Sequence, residues 1–242
     1  VKVHPGTQDR RAYFDTQIDR SNSKFSFCKV AIDDVAAYRA VIVGDLVRRR
    51  PGQAIGPLLC LGTRSGREVD LFRVGFFGGS IQRRLIRWCE RSRDPFTSYL
   101  PIVEGGRRSQ VDALDGRSAI GVEINPRGRR CDVWTGSFDE MPAAWSGRFG
   151  VVYSNSFDQS QDPYRTAKEW RRVLRPGGYL IFCFAEGATP TATDPVGDLR
   201  VEDVLTLFAG EMVFHRDRGS RRGYSEVIVR MPDGGAAEAK AP

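Results

Sequence analysis

Gly62 and Gly66 stand four apart behind the apolar run Leu58-Leu59-Cys60-Leu61, and Arg67-Glu68-Val69 continues in a helical pattern. A buried-type strand that turns sharply on glycine and enters a helix brings main-chain amides and the positive end of the helix dipole to one crevice. A nucleotide-type ligand is one reading of Gly62-Thr63-Arg64-Ser65-Gly66, and a plain structural turn is the other. A second apolar strand, Ala119-Ile120-Gly121-Val122-Glu123, carries a carboxylate at its end and runs on into Ile124-Asn125-Pro126. In nucleotide-binding α/β sheets, an acid fixed there accepts hydrogen bonds from both hydroxyls of a ribose. Trp134–Pro142 reads as strand then turn, which sets Ser137, Phe138 and Asp139 where an adenine would lie. Phe149–Gln159 ends a further strand with polar groups, Ser154, Asn155 and Asp158, in the same crevice.

These groups need a sheet to hold them. Helical spacing covers Asp33–Arg50, where Val35, Tyr38, Val41, Ile42 and Leu46 recur at three- and four-residue steps until Pro51-Gly52. Thereafter strand and helix patterns alternate: strands at Pro57–Leu61, Ser118–Glu123, Cys131–Thr135, Phe149–Ser154 and Gly178–Ala185, and helices at Gly66–Arg73, Pro163–Leu174 and Val201–Phe208. Glu211–His215 and Tyr224–Met231 form two last strands with no helix between them, so they should pair antiparallel. The expected fold is α/β, a doubly wound, mostly parallel seven-stranded sheet with an antiparallel C-terminal hairpin. Residues 1–56 form an N-terminal arm and helix, a lid candidate; the first 30 residues, with a small aromatic cluster at Tyr13, Phe14, Phe25 and Phe27, read as a flexible arm or a flap over a pocket. The main domain should span 57–232 and a disordered tail 233–242.

Residues 75–117 break the rhythm, because a tight sheet would use roughly 2–6 residues in such a connection. Within them Ile81, Leu85, Trp88 and Cys89 lie at helical spacing among Arg83, Arg84, Arg87, Arg91 and Arg93. We read an inserted amphipathic helix over 80–93. Five arginines against Glu90 give it a local charge of +4. It is either a cap that recognises an anionic acceptor or a cationic face packed on the sheet or on a second subunit of a homo-oligomer.

Taken in order and type, the glycine turn, the strand ending in Gly121-Val122-Glu123-Ile124-Asn125-Pro126, and the helix–Leu174-Arg175-Pro176-Gly177-Gly178–strand segment resemble a class I S-adenosylmethionine-dependent methyltransferase of the small type 11-like kind. The resemblance covers roughly Pro57–Met231. It implies S-adenosyl-L-methionine as cofactor across the C-terminal edge of the sheet. Gly62, Thr63, Arg64, Ser65 and Gly66 would hold the methionine moiety, Glu123 the ribose, and Ile124 with Asn125 would lie at the adenine. Ser137, Phe138 and Asp139 would meet the adenine edge, and Ser154 and Asn155 would flank the sulfonium. The chain departs from the family in placing Cys60 where an acid is usual and Arg64 where a glycine is usual. A loop of LG-x-R-x-G-x-E form would make Glu68 the partner of the cofactor's ammonium. A general base is required only for a hydroxyl or protonated amine acceptor, and Asp158, Glu186 and His215 are the candidates.

Composition narrows the remaining choices. The 242 residues carry 37 basic and 30 acidic side chains, net +7, and 32 of the basic residues are arginine. The arginines are scattered through the chain and outline no continuous nucleic-acid groove. Recognisable RNA-binding modules and NPPY-like signatures are absent from the sequence. A small-molecule or glycan-type acceptor is therefore expected, ahead of RNA or protein modification or a non-catalytic cofactor-binding relative. The apolar runs are too short to span a bilayer. Five cysteines without a CxxC, and two histidines, argue against disulfide and metal frameworks, and the expected compartment is cytoplasmic.

Overall fold

The computed structural model describes residues 1–4, 9–91, 110–218 and 224–234. Seven strands form the main sheet: β2 (Leu58–Leu61), β3 (Ala119–Glu123), β4 (Val133–Thr135), β5 (Phe149–Ser154), β6 (Leu174–Ala185), β8 (Glu211–Asp217) and β9 (Tyr224–Arg230). Their order is β4-β3-β2-β5-β6-β9-β8. β2 pairs in parallel with both β3 and β5, while β6–β9 and β9–β8 are antiparallel. The sheet is the doubly wound, seven-stranded arrangement with a C-terminal hairpin expected above. Strand order reverses between β2 and β5, and the crevice at such a point, beyond the carboxyl ends of the strands, is where α/β sheets take ligands.

Alternation along each strand divides the core between two faces. Leu58, Cys60, Tyr153, Tyr179 and Ile181 turn to one side, against Val35, Tyr38 and Ile42 of α2 (Ile32–Arg49) and Val69 and Phe72 of α3 (Arg67–Phe77). Leu59, Leu61, Val152, Leu180 and Phe182 turn to the other, against Trp170 of α5 (Pro163–Val173) and Phe208 of α6 (Val201–Phe208). Fully buried Trp170 meets Phe138, Phe157, Phe182 and Phe208 at ring distances of 5.2–6.2 Å. Both faces are covered, so the parallel strands read as continuous apolar runs.

Four features differ from the sequence pattern. The first is the N-terminal region, which is ordered as a helix, α1 (Arg10–Ser23), capped by Asp9 accepting from the amides of Arg11 and Ala12. Its polar composition hides the helix because its buried side is built from Tyr13, Gln17 and Ser21. The second is a small ribbon of β1 (Lys2–Val3) on β7 (Val196–Gly197), too short for periodicity to reveal. In the third, α3 continues through Phe77, so the long connection begins at Gly78 and not at Gly75, which packs closely against Val35. In the fourth, β6 starts at Leu174: the chain leaves α5 straight into extended backbone, with Gly177 at φ +68°.

The inserted helix is α4 (Ser80–Arg91), and it faces differently from the expected stripe. Ile86 and Cys89 are its buried residues, whereas Ile81, Leu85 and Trp88 are 72%, 45% and 69% exposed. Polar anchors fix this rotation. Glu90 accepts from the Ile32 amide at 3.0 Å, at the start of α2, and Arg87 pairs with Asp33. Arg93, the rest of the insertion through residue 109, and tail residues 235–242 lie outside the described residues. Among the described residues no helix is long and apolar enough to cross a membrane, and no cluster of three or more His, Cys, Asp or Glu could hold a metal.

Candidate active site

At the end of β2 the chain turns at Gly62 (φ +72°), Arg64 (φ +45°) and Gly66 (φ +78°) before entering α3. A Cβ at Gly62 would meet Ser156 Oγ at 2.5 Å, so the conformation and the close approach both require glycine. The Arg64 amide donates to Glu123 Oε2 at 2.7 Å, across the strand ends. Glu123 Oε1 accepts from the Asn125 amide at 3.0 Å and from Ser21 Oγ of α1 at 3.3 Å. Burial raises the Glu123 carboxyl above the usual range, and the amide bonds from Asn125 and Arg64 oppose that rise.

Gly62, Arg64, Glu123, Ile124, Ser137, Phe138 and Asp139 line one crevice, roofed by Tyr13, Phe14, Gln17, Arg20 and Ser21 of α1. Asp139 accepts from its neighbour's hydroxyl, Ser137 Oγ, and from Thr166 Oγ1. The crevice is narrow, about 40 Å³ in cavity volume. Beside it lies a second cavity of about 880 Å³, and Arg20, Arg64 and Gln159 border both. Asn155, Asp158 and Glu186 line this larger space, with Lys24, Lys29, Asp194 and Tyr224.

Other residues singled out from the sequence lie around these spaces without lining them. Asn125 serves the crevice through Glu123 and through a bond from its Nδ2 to Asn22 of α1. Ser154 Oγ is spent on main chain, toward Leu61 O and from the Ser156 amide. Thr63 and Ser65 have enclosed hydroxyls without a hydrogen-bond partner among the described residues, and Gly66 caps α3. Glu68 is buried at the start of α3, both its carboxylate oxygens without a hydrogen-bond partner. Burial raises its carboxyl to about 7, against the pull of Arg64. Cys60 is wholly buried in the apolar core beneath the turn. His215 is exposed on the edge strand β8, outside both cavities, because the hairpin carries it to the far end of the sheet.

Asp158 follows β5 in a short 3-10 turn, Phe157–Gln159. The residue is half-buried, but its Oδ1 is enclosed and without a hydrogen-bond partner among the described residues. Burial and the neighbouring Asp194 raise its carboxyl to about 7, and Arg20 and Arg64 hold it from rising further. Glu186, by contrast, accepts from Ser225 Oγ at 2.8 Å.

Sequence patterning offered the N-terminal arm, with its Tyr13-Phe14 pair, as a flap, and did not identify the helix α1 within it. Tyr13 Oη donates to Gln159 O, and Gln17 Nε2 donates to Thr193 O. Arg20 makes a two-pronged ion pair with Asp194, its second contact at 2.7 Å. The helix α4 and its described arginines line neither of these two cavities; they pack on α2 and α3.

Comparison with known proteins adds a partial domain match and a shared fold. Residues 105–182 match the model of a methyltransferase domain. No curated protein matches the chain. Among solved structures, the Burkholderia thailandensis 1,6-didemethyltoxoflavin-N1-methyltransferase, solved with 1,6-didemethyltoxoflavin and S-adenosylhomocysteine, superposes with a TM-score of 0.58 at 13% identity, over 96% of this chain and 95% of that one. The [4+2]-cyclase SpnF gives a TM-score of 0.50 at 14% identity, over 97% and 99% of the two chains. The CurJ carbon methyltransferase gives 0.50 at 12% identity, over 82% of this chain and 54% of that one. A methyltransferase-domain model thus matches the stretch from β3 to β6, and over nearly its full length the chain shares the fold of a methyltransferase solved with S-adenosylhomocysteine.

Proposed function

We propose that the protein is a methyltransferase that binds S-adenosylmethionine in the narrow crevice and a small-molecule acceptor in the adjoining 880 Å³ cavity. One observation carries this reading: Glu123 and the Gly62–Arg64 turn face a crevice that shares Arg20, Arg64 and Gln159 with a cavity large enough for a small organic molecule. The residues fit the cofactor. Glu123 offers a fixed acceptor for ribose hydroxyls, Ile124 an apolar surface beside it, and Gly62 a close main-chain approach. The orphaned Glu68 carboxylate is the buried acid that an ammonium group would satisfy.

The bound cofactor supplies an activated methyl on a sulfonium. What the protein must add is alignment of the acceptor and management of one proton. Bound there, the cofactor would give its methyl to the acceptor nucleophile as the S–CH3 bond breaks, and its sulfur would keep that bond's electron pair. Where the acceptor is a hydroxyl or an ammonium, its proton passes to Asp158, whose enclosed oxygen borders the acceptor cavity. Glu186 is already engaged by Ser225, so it shapes that wall.

Isothermal titration of the purified chain with S-adenosylhomocysteine tests the cofactor half of this reading. We expect binding to the wild-type chain and a loss of about tenfold or more in Glu123→Ala, because a buried acceptor for two hydroxyls is removed. A wild-type chain that does not bind would leave the cyclase-type or scaffold readings, since a related fold carries a [4+2]-cyclase. Binding that Glu123→Ala leaves unchanged would place the cofactor elsewhere.

A further inference from the structure

The 880 Å³ cavity has an uneven charge pattern. Four cations line it, Arg20, Lys24, Lys29 and Arg64, and Asp194 neutralises Arg20 through the two-pronged pair. Among the described residues, no carboxylate lies within ion-pair distance of Lys24, Lys29 or Arg64. Two of these three are positioned by aromatic rings. Lys29 Nζ sits 2.8 Å from the centre of the Tyr224 ring, and the Arg64 guanidinium lies 5.5 Å from that of Phe27. A cation laid on a ring keeps its charge and its unused donors for a ligand. The same wall carries Phe27, Phe184 and Tyr224, which offer flat apolar surface. Two carboxylates oppose the cations: Glu186, held by Ser225, and Asp158.

We propose that Lys24, Lys29 and Arg64 form an oxyanion subsite that selects an acceptor bearing a carboxylate or phosphate on an apolar or aromatic body. The inference rests on the larger cavity being the acceptor site. It moves anion recognition from the arginines of α4, which line neither cavity, to lysines on the segment joining α1 to α2. Lys24 immediately follows α1, and Lys29 lies six residues before the first turn of α2 is complete, so the same short segment carries Phe27 between them. An anion seated on these groups leaves the rest of the acceptor to face Asp158, which lines the same cavity.

The test is calorimetric titration of the full chain, with and without S-adenosylhomocysteine, using 4-nitrophenyl phosphate, 4-nitrobenzoate and the neutral 4-nitrobenzyl alcohol as probes. At least one anion should bind about tenfold or more tightly than the alcohol, with the gap narrowing as salt is raised. The two anions separate phosphate from carboxylate preference. Lys29→Gln should cost that anion about tenfold, and Lys24→Gln combined with Lys29→Gln more. Lys29→Arg should recover part of the loss, and homocysteine-product affinity and the unfolding midpoint should stay unchanged in all three. Equal binding of alcohol and anions, no anion binding, or full anion affinity in the glutamine variants overturns the subsite. Anion selectivity without any cofactor-product binding keeps the subsite and overturns the methyltransferase reading, whereas the reverse result does the opposite.

Discussion

Glu68 and Asp158 are the two carboxylates at the sheet edge that burial holds near neutrality, each at about 7, and each has an oxygen without a hydrogen-bond partner among the described residues. Their surroundings assign them different work. Glu68 sits behind the glycine turn, closed from both cavities, where it can meet a cationic group delivered to the turn. Asp158 borders the larger cavity and can exchange a proton with whatever fills it. A base with a pKa near the working pH transfers protons efficiently in both directions. With any acceptor that carries a hydroxyl or ammonium, the wild-type rate should climb with pH through about 7 as Asp158 ionises. Asp158→Asn should lower kcat by about 10²–10⁴-fold, abolish that limb, and leave cofactor-product affinity intact. A variant that keeps both its rate and its pH limb would return Asp158 to a role in the turn after β5.

At the scale of elements, α1 sets access. The crevice beneath it, at about 40 Å³, admits a few waters, so the cofactor reading proposed above predicts that α1 shifts on loading. One set of its attachments sits on a single loop: Arg20 pairs with Asp194, and Gln17 and Arg20 bond Thr193 O. Asp194→Asn removes the charged half of that latch. Stopped-flow association of S-adenosylhomocysteine should then speed up about fivefold, with faster amide exchange across residues 10–23. Unchanged association and exchange would show that the crevice loads without α1. This lid is also where sequence legibility ended. The central strands were legible as apolar runs such as Leu58–Leu61 and Gly178–Ala185, because buried strands must be apolar on both faces. The turn was legible because only glycine serves at Gly62. The flap was legible as an alternative and its helix was not, since a helix that covers a polar crevice buries Tyr13, Gln17 and Ser21 and shows no apolar stripe. For α4 the stripe was legible and its rotation was not, because Glu90 and Arg87 decide which side packs.

Across the whole molecule, carboxylates divide by location. In the framework, burial opposes ionisation of Asp132 and Asp45, but their arginines prevail. Arg130 and Arg73 hold Asp132 below the usual range, and Arg230 with the Tyr179 hydroxyl does the same for Asp45. At the site, burial dominates, and Glu68, Asp158, Glu123 and Asp139 are all raised. The two groups act on stability in opposite senses. The depressed framework acids stabilise the fold above their unfolded pKa, about 3.9, and that contribution is lost as pH falls through their folded values. The raised site acids stabilise it when protonated, fully below about 4.3 and progressively less as pH rises through about 7. The ligand-free chain should therefore be most stable near pH 5 and lose stability toward pH 8. Glu68→Gln should remove about half of that decline, since the amide cannot ionise in its enclosed position. Saturating S-adenosylhomocysteine should flatten the decline further in the wild-type chain than in Glu68→Gln, because an ammonium beside Glu68 favours its charged form. Urea unfolding at pH 5, 6.5 and 8, with and without that ligand, measures all three slopes. A ligand-free profile that is flat or rises toward pH 8 would mean that Glu68 and Asp158 reach solvent, and with that the link between an enclosed acid and cofactor binding would fail.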